Sequence, residues 1–284
     1  MNVVPKSLPS ELSESFHPVH RAYLDYVGRA LLKFADTVNG LGAFLLITLG
    51  VTVTKFNKAR GVVHPLIFQQ IQKAGLRLMP IVTFLAVSLG LVVIGQTVFL
   101  LNKYGAQNYV GTVMVTVVVR ELGPLLAALL VLVRVGTANV IELGTARALG
   151  EVEALEALGI DPIHYLVMPR VIGMALSIFA LTVYLIIFAL ASGYLFAFLE
   201  DVPLLPSEYF GHLASALMWE DFVLLALKTL AFGGLIAVVT CYEGLARPLR
   251  LEDVAAATTR AVTTSIVGSI FLDAIFIVFY LFIR

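Results

Sequence analysis

Two adjacent charges, Arg120 and Glu121, stand inside a long apolar run and are followed at once by Leu122-Gly123-Pro124. Charge in lipid is costly and persists where it pairs with other groups or marks a pathway, so chemistry should be sought here first. Consecutive helical residues point about 100° apart, and the two side chains cannot both face lipid comfortably. Arg134 follows Arg120 by fourteen residues, close to four turns, which predicts both arginines on one stripe of an unbroken helix. Glu121 and Glu142 are the carboxylates available to neutralise that stripe, within the chain or across a dimer. Two uses stay open: an ion pair that holds the bundle together, or a polar lining beside a substrate path.

Two further charges fall inside apolar stretches. Lys228 lies about six residues into the fourth and is expected to snorkel to the nearby interface. Asp273 lies midway along the last and is expected to face protein, towards Arg120 or Arg134.

A different pattern separates the second and third apolar stretches, where residues 149–159 read L-G-E-V-E-A-L-E-A-L-G. Leu155 and Leu158 make one apolar edge, and Glu151, Glu153 and Glu156 make an acidic one. Gly159 ends the short helix and Asp161-Pro162 begins the next turn. Such a helix suits docking into a groove on a partner; on pattern alone it is equally an exposed connector.

The chain has no G-x-x-x-x-G-K-[ST] loop to cradle nucleotide phosphates, and no G-x-S-x-G or H-E-x-x-H motif. Its single cysteine, Cys241, has no partner for a disulfide or a zinc site. His17 and His20 stand three apart with no third ligand, and read as solvated or interfacial residues. We therefore expect a chain that is not an enzyme by itself and holds no metal or cofactor.

These residues must be positioned by membrane helices. The 284 residues are 60% hydrophobic and 13% charged, with mean hydropathy +0.96, against roughly 45–50% and about 25% in soluble domains. Formal net charge is zero, which offers nothing to nucleic acid. Five stretches are long enough to cross: about 78–101, 107–146, 166–199, 222–242 and 262–283. The second is too long for one straight crossing, so it extends outside the bilayer, bends or breaks, and a break is expected at Gly123-Pro124. Residues 38–54 are shorter and carry Asn39, Gly40 and Gly42, which suits an interfacial or re-entrant element following an amphipathic 20–37. Residues 65–77 read as a surface helix leading into the first full span. Residues 1–40 mix prolines, acids and histidines and do not read as a secretory signal. The expected division is an interfacial region over 1–37 and a membrane domain over 38–284.

Lys/Arg bias sets orientation. With the N-terminus in the cytoplasm and five crossings, the inner side receives Lys55, Lys58, Arg60, Lys73, Arg77, Arg147, Arg247, Arg250 and Arg260. The outer loops then hold Lys103 with Glu200, Asp201, Glu208, Glu220 and Asp221, and the C-terminus is outside.

The run R-E-L-G-P…R-V-G-T-A-N-V-I-E-L-G-T-A-R-A-L-G-E-V-E-A-L-E-A-L-G-I-D-P over residues 120–162 resembles the MlaE/YrbE-type permeases. These are membrane subunits of ABC transporters that work with MCE-domain proteins. The likeness extends from about residue 40 to the C-terminus, including A-A-T-T-R-A-V and the Leu272-Asp273 pair. It implies an all-α integral membrane protein with five transmembrane helices, N-terminal interfacial or re-entrant helices and a short cytoplasmic coupling helix. It further implies a homodimer in a bacterial inner membrane, with a cytoplasmic ABC ATPase that binds the ATP and a periplasmic MCE-domain carrier. The cargo would be phospholipid.

By the same resemblance, Glu151, Glu153, Leu155, Glu156, Leu158 and Asp161 are candidate ATPase contacts. Arg120, Glu121 and Arg134 match polar positions near the lipid pocket, with Asp273 joining that polar core. The first full span, including Leu85, Leu89, Val92 and Gln96, would line the pocket at the dimer axis. Gly90 and Gly95 stand five apart and so form no G-x-x-x-G motif. Two alternatives stay open: a permease of the same family for a sterol or fatty acid, or an ion-coupled secondary transporter using Arg120, Glu121 and Asp273 as a relay. Inverted repeats would favour the second, and the sequence has none.

Overall fold

The computed structural model describes residues 36–52, 54, 60–106, 109–199, 206–245 and 249–283. Readings that fall on residues 1–35, Lys55, Lys58, Glu200, Asp201, Arg247 and Arg284 lie outside the described residues. The chain divides into two compact units, the first ending at Leu46 and the second starting at Ile47. Helix α1 (Asp36–Thr52) begins in the first. At 1.5 Å per residue it reaches about 26 Å, short of a hydrocarbon core of about 30 Å. Thr52 Oγ1 donates back to the Thr48 carbonyl at 2.7 Å within it.

The second unit is a bundle. Helix α2 (Arg60–Ala74) contains Pro65 and leads through a 3₁₀ turn (Leu76–Leu78) into α3, residues 79–103. Then follow α4 (Val110–Ala148), α5 (Glu151–Ala157), α6 (Met168–Leu199), α7 (Pro206–Ala216), α8 (Trp219–Leu245) and α9 (Val254–Ile283). No strand occurs among the described residues. Five of these helical runs are long and apolar enough to cross a membrane, up and down in chain order. Helix α5 therefore lies at one end of the bundle and α7 at the other. The spans sit within a few residues of the expected ranges, except the first, whose helical run starts at Val63 rather than 78, and the last, which begins at Val254 rather than 262. Ala255, Ala256 and Ala257 continue that helix past the hydropathy limit, because alanine is the strongest helix former.

Helix α6 is the centre, packed against α2, α3, α4 and α8. Small residues permit the close crossings: a Cβ on Gly233 of α8 would run into the Ala175 backbone of α6. The core beneath is apolar, with Val82, Val118, Ala128, Ile178, Leu185 and Phe232 all buried. The last span is the least covered, with 11% of its most apolar window buried against 39–50% in the others.

The expected break at Gly123-Pro124 is absent. Helix α4 runs through it, because the backbone shifts to i→i−5 bonding on either side. Gly123 N–H donates to Val118 O at the end of a π-helical stretch, Val115–Leu122. Thr137 N–H donates to Leu132 O at the end of another, Leu132–Gly136. Comparable turns occupy Gly90–Ile94 in α3 and Ile163–Val167 before α6. A π turn carries one residue more than an α turn, so it changes which side chains share a face beyond it.

Candidate functional site

At the α7 end of the bundle, α4, α8 and α9 bring their charges together. Arg120 Nε and Nη2 donate to Asp221 Oδ1 at 2.8 Å and Oδ2 at 3.1 Å, a two-pronged pair. The guanidinium also lies 4.3 Å from the centroid of the Tyr280 ring. Lys228 does not snorkel to an interface, contrary to the reading from its position; its side chain is 6% exposed and its Nζ donates to Glu121 Oε2 at 2.8 Å. Asp273 faces protein as expected, but its partner is Lys228, with Oδ1 2.6 Å from Nζ, rather than either arginine. That approach lies outside hydrogen-bonding angles, so the contact is an ion pair only.

A third contact of Lys228 explains why the helix survives its proline. Pro124 has no N–H, so the Arg120 carbonyl loses its i+4 donor. Lys228 Nζ donates to that carbonyl at 2.8 Å. One ammonium thus replaces a missing backbone donor and neutralises carboxylates from two helices. The expected arginine stripe does not form: Arg134 is exposed and has no charged partner among the described residues. The intervening π turns rotate it away from Arg120. Glu142 does not serve that stripe either.

Sequence reasoning misses Asp221 and Tyr280 as partners and misreads Lys228. Asp221 reads there as an outer loop charge. Its place three residues after Met218 holds the clue, for its Oδ2 accepts the Met218 N–H at 3.0 Å as a helix-start cap. The cluster borders a cleft also lined by Leu224 and Phe276.

The stripe expected on the first span is divided. Leu85 and Leu89 pack on the core, whereas Val92, 57% exposed, and Gln96 point outward. At α-helical spacing all four would share a face; the π turn at 90–94 separates them. The same turn gives Gly90 and Gly95 a packing role although they form no G-x-x-x-G motif. Five residues make one π turn, so both glycines meet α6, where a Cβ would overlap Ser192 or Phe196.

At the opposite end, α5 hangs between two left-handed glycines, Gly150 at φ 77° and Gly159 at φ 75°. Val152 is its buried anchor. Leu155 is half-buried beside a groove formed with Ala146, Tyr165 and Leu166, and Leu158 is 75% exposed. Glu151 and Glu156 are exposed, while Glu153 pairs with Arg147 at 3.3 Å. Asp161 is not on the exposed face; its Oδ1 accepts the Ile163 N–H at 3.0 Å and starts the next helix.

Around α5 the helix ends are joined by polar contacts. Glu142 of α4 meets Lys73 of α2 and Arg170 of α6, both at 3.1 Å. Arg170 uses all three nitrogens, adding Asn139 Oδ1 at 3.3 Å and Leu166 O at 2.7 Å. Glu243 of α8 meets Arg260 of α9 at 3.1 Å. Among the described residues no cluster of His, Cys, Asp or Glu could hold a metal ion.

The arrangement is that of a membrane bundle with one buried charge cluster and one exposed short helix, and relatives share its sequence. The family model of permease MlaE matches residues 67–279. A probable ABC transporter permease protein of Rickettsia prowazekii is 30% identical over 239 residues, 84% of this chain and 90% of its own. Its counterpart in Synechocystis is 33% identical over 219 residues, 75% and 81% of the two chains. The chloroplastic protein TRIGALACTOSYLDIACYLGLYCEROL 1 of Arabidopsis thaliana is 29% identical over 219 residues, 75% of this chain and 60% of its own. The family match takes in both the charge cluster and α5, and the chain, a multi-pass membrane protein, belongs to the MlaE permease family.

Proposed function

We propose that this chain is the permease subunit of an ABC transporter that moves phospholipids between a bacterial inner membrane and a periplasmic MCE-domain carrier. In this reading it works as a homodimer with its N-terminus and α5 in the cytoplasm and its C-terminus outside. A separate ATPase subunit binds the ATP, and this chain holds no cofactor. Support for lipid as cargo comes from the family and from one relative whose name is that of a galactolipid.

The observation that carries the reading is α5 itself. It is a seven-residue acidic helix with Leu158 75% exposed, joined through glycines to the ends of two spanning helices. An apolar anchor ringed by carboxylates at that position suits a groove on a partner that pushes on the bundle. Exposed Val92 and Gln96 on α3 leave a face for the lipid path or a second copy.

Replacing Leu155 and Leu158 together with Asp should abolish co-purification of the ATPase while the permease stays folded and monodisperse. Retained co-purification sinks the docking assignment. Mass spectrometry of lipid kept by the purified complex should find phospholipid; sterol or fatty acid in its place would redirect the cargo.

A further inference from the structure

The polar contacts around α5 are not placed to stabilise the bundle alone. Helix α5 is joined to the chain on either side through Gly150 and Gly159, where a Cβ would meet open space, and is otherwise held by buried Val152 and the Glu153–Arg147 pair. Two such joints bend readily. A thrust on α5 is lost in them, or in splaying α4 from α6, unless the ends of those two helices are fixed to one another. Arg170 provides that fixing. Its side chain is 16% exposed, its Nη2 holds Glu142 and its Nε holds Asn139, both on α4. Asn139 in turn donates Nδ2 to Met174 Sδ at 3.1 Å, back on α6. The third nitrogen, Nη1, takes the Leu166 carbonyl in the π turn where α6 begins. A planar fork reaching three acceptors sets direction as well as distance, which a point charge does not.

The lock extends to α2. Glu142 also holds Lys73, and α2 lies so close to α6 that a Cβ on Gly173 would run into Gln70. Helix α2 then passes through Gly75 and a single 3₁₀ turn into α3, which carries Val92 and Gln96 on its open face.

We propose that Arg170 is a positioning residue that makes the ends of α4 and α6 move as one body with α2, so that thrust on the docking helix reaches α3. This rests on the transport reading above. Its signature is a changed yield per ATP, which a merely structural residue would not produce.

The test uses the complete complex in vesicles of phosphatidylethanolamine and phosphatidylglycerol carrying a fluorescent phospholipid, measuring ATPase co-purification, ATP hydrolysis and lipid transfer together. Arg170→Lys keeps the charge and removes the fork; Glu142→Gln removes the shared carboxylate. Both are expected to keep the ATPase bound and hydrolysing while lipid moved per ATP falls roughly fivefold or more. An unchanged ratio in Glu142→Gln overturns the inference, even if Arg170→Lys fails to fold. A wild-type complex that hydrolyses ATP without moving lipid overturns the transport reading instead.

Discussion

The charges at the α7 end of the bundle and those at the α5 end use the same residue types under different physical conditions. Around Lys228 and Arg120 the partners come from α4, α8 and α9 and are mostly covered: Lys228 is 6% exposed, Arg120 13%, Asp221 2% and Asp273 15%, with Glu121 at 34%. Around Glu142 the partners come from α2 and α6; Lys73 and Glu142 are 42% and 46% exposed, and Arg170 is 16% exposed. In the covered set each charge needs its partner, because removing one strands the other in a low dielectric. In the open set water replaces a lost partner, and an exposed pair is worth about 0–1 kcal/mol. The first set is therefore committed to holding helices in register. In the second only the exposed Lys73–Glu142 pair can break and re-form cheaply, while Arg170, 16% exposed, keeps the ends of α4 and α6 joined where a partner would push.

The sharpest way to break this contrast is Lys228→Met. It leaves Glu121 and Asp273 facing each other and the Arg120 carbonyl without a donor, and should cost about 3–5 kcal/mol in unfolding from detergent. A loss below about 1 kcal/mol would place the cluster with exposed pairs. Next comes Asp221→Asn, which keeps an acceptor for Arg120 but removes the charge and should cost about 2 kcal/mol. Adding Arg120→Gln should recover part of that loss, since the stranded guanidinium is gone; strictly additive effects would show that the two do not act as a pair. The smallest effect belongs to Lys73→Gln, expected within about 1 kcal/mol of wild type in the isolated permease. If it approached the cost of Lys228→Met, the two ends would not differ as described.

The spans are legible in the sequence because length and hydropathy constrain a membrane helix so strongly. The need for Asp273 to face protein is legible for a related reason: a carboxylate midway along a span has nowhere else to go. Pairing is harder to read. Partners for Arg120 follow in sequence from distances along an ideal α-helix, and the π turns at 115–122 and 132–136 invalidate those distances. A shift to i→i−5 bonding leaves no mark in composition. Pro124 is a partial signal: it reads as a break, whereas the missing donor is supplied from another helix by Lys228. Gly90 and Gly95 form no G-x-x-x-G motif at five apart, yet that is the spacing a π turn brings onto one face. For α5, Leu158 lies on the open face as expected, whereas Asp161 is drawn off it by its capping bond.

Those turns also say something about how such a chain can change over time. A π turn is an α-helix carrying one surplus residue, so α4 holds its polar partners in place by a length rather than by an identity. Swapping Val117 for another apolar side chain leaves that length intact. Deleting one residue between 115 and 122 would let the backbone relax to ordinary bonding and turn every later position by about 100°, carrying Asn139 and Glu142 away from Arg170. In this helix an insertion or deletion of one residue is therefore a larger event than most substitutions, although both leave it equally apolar and almost equally long.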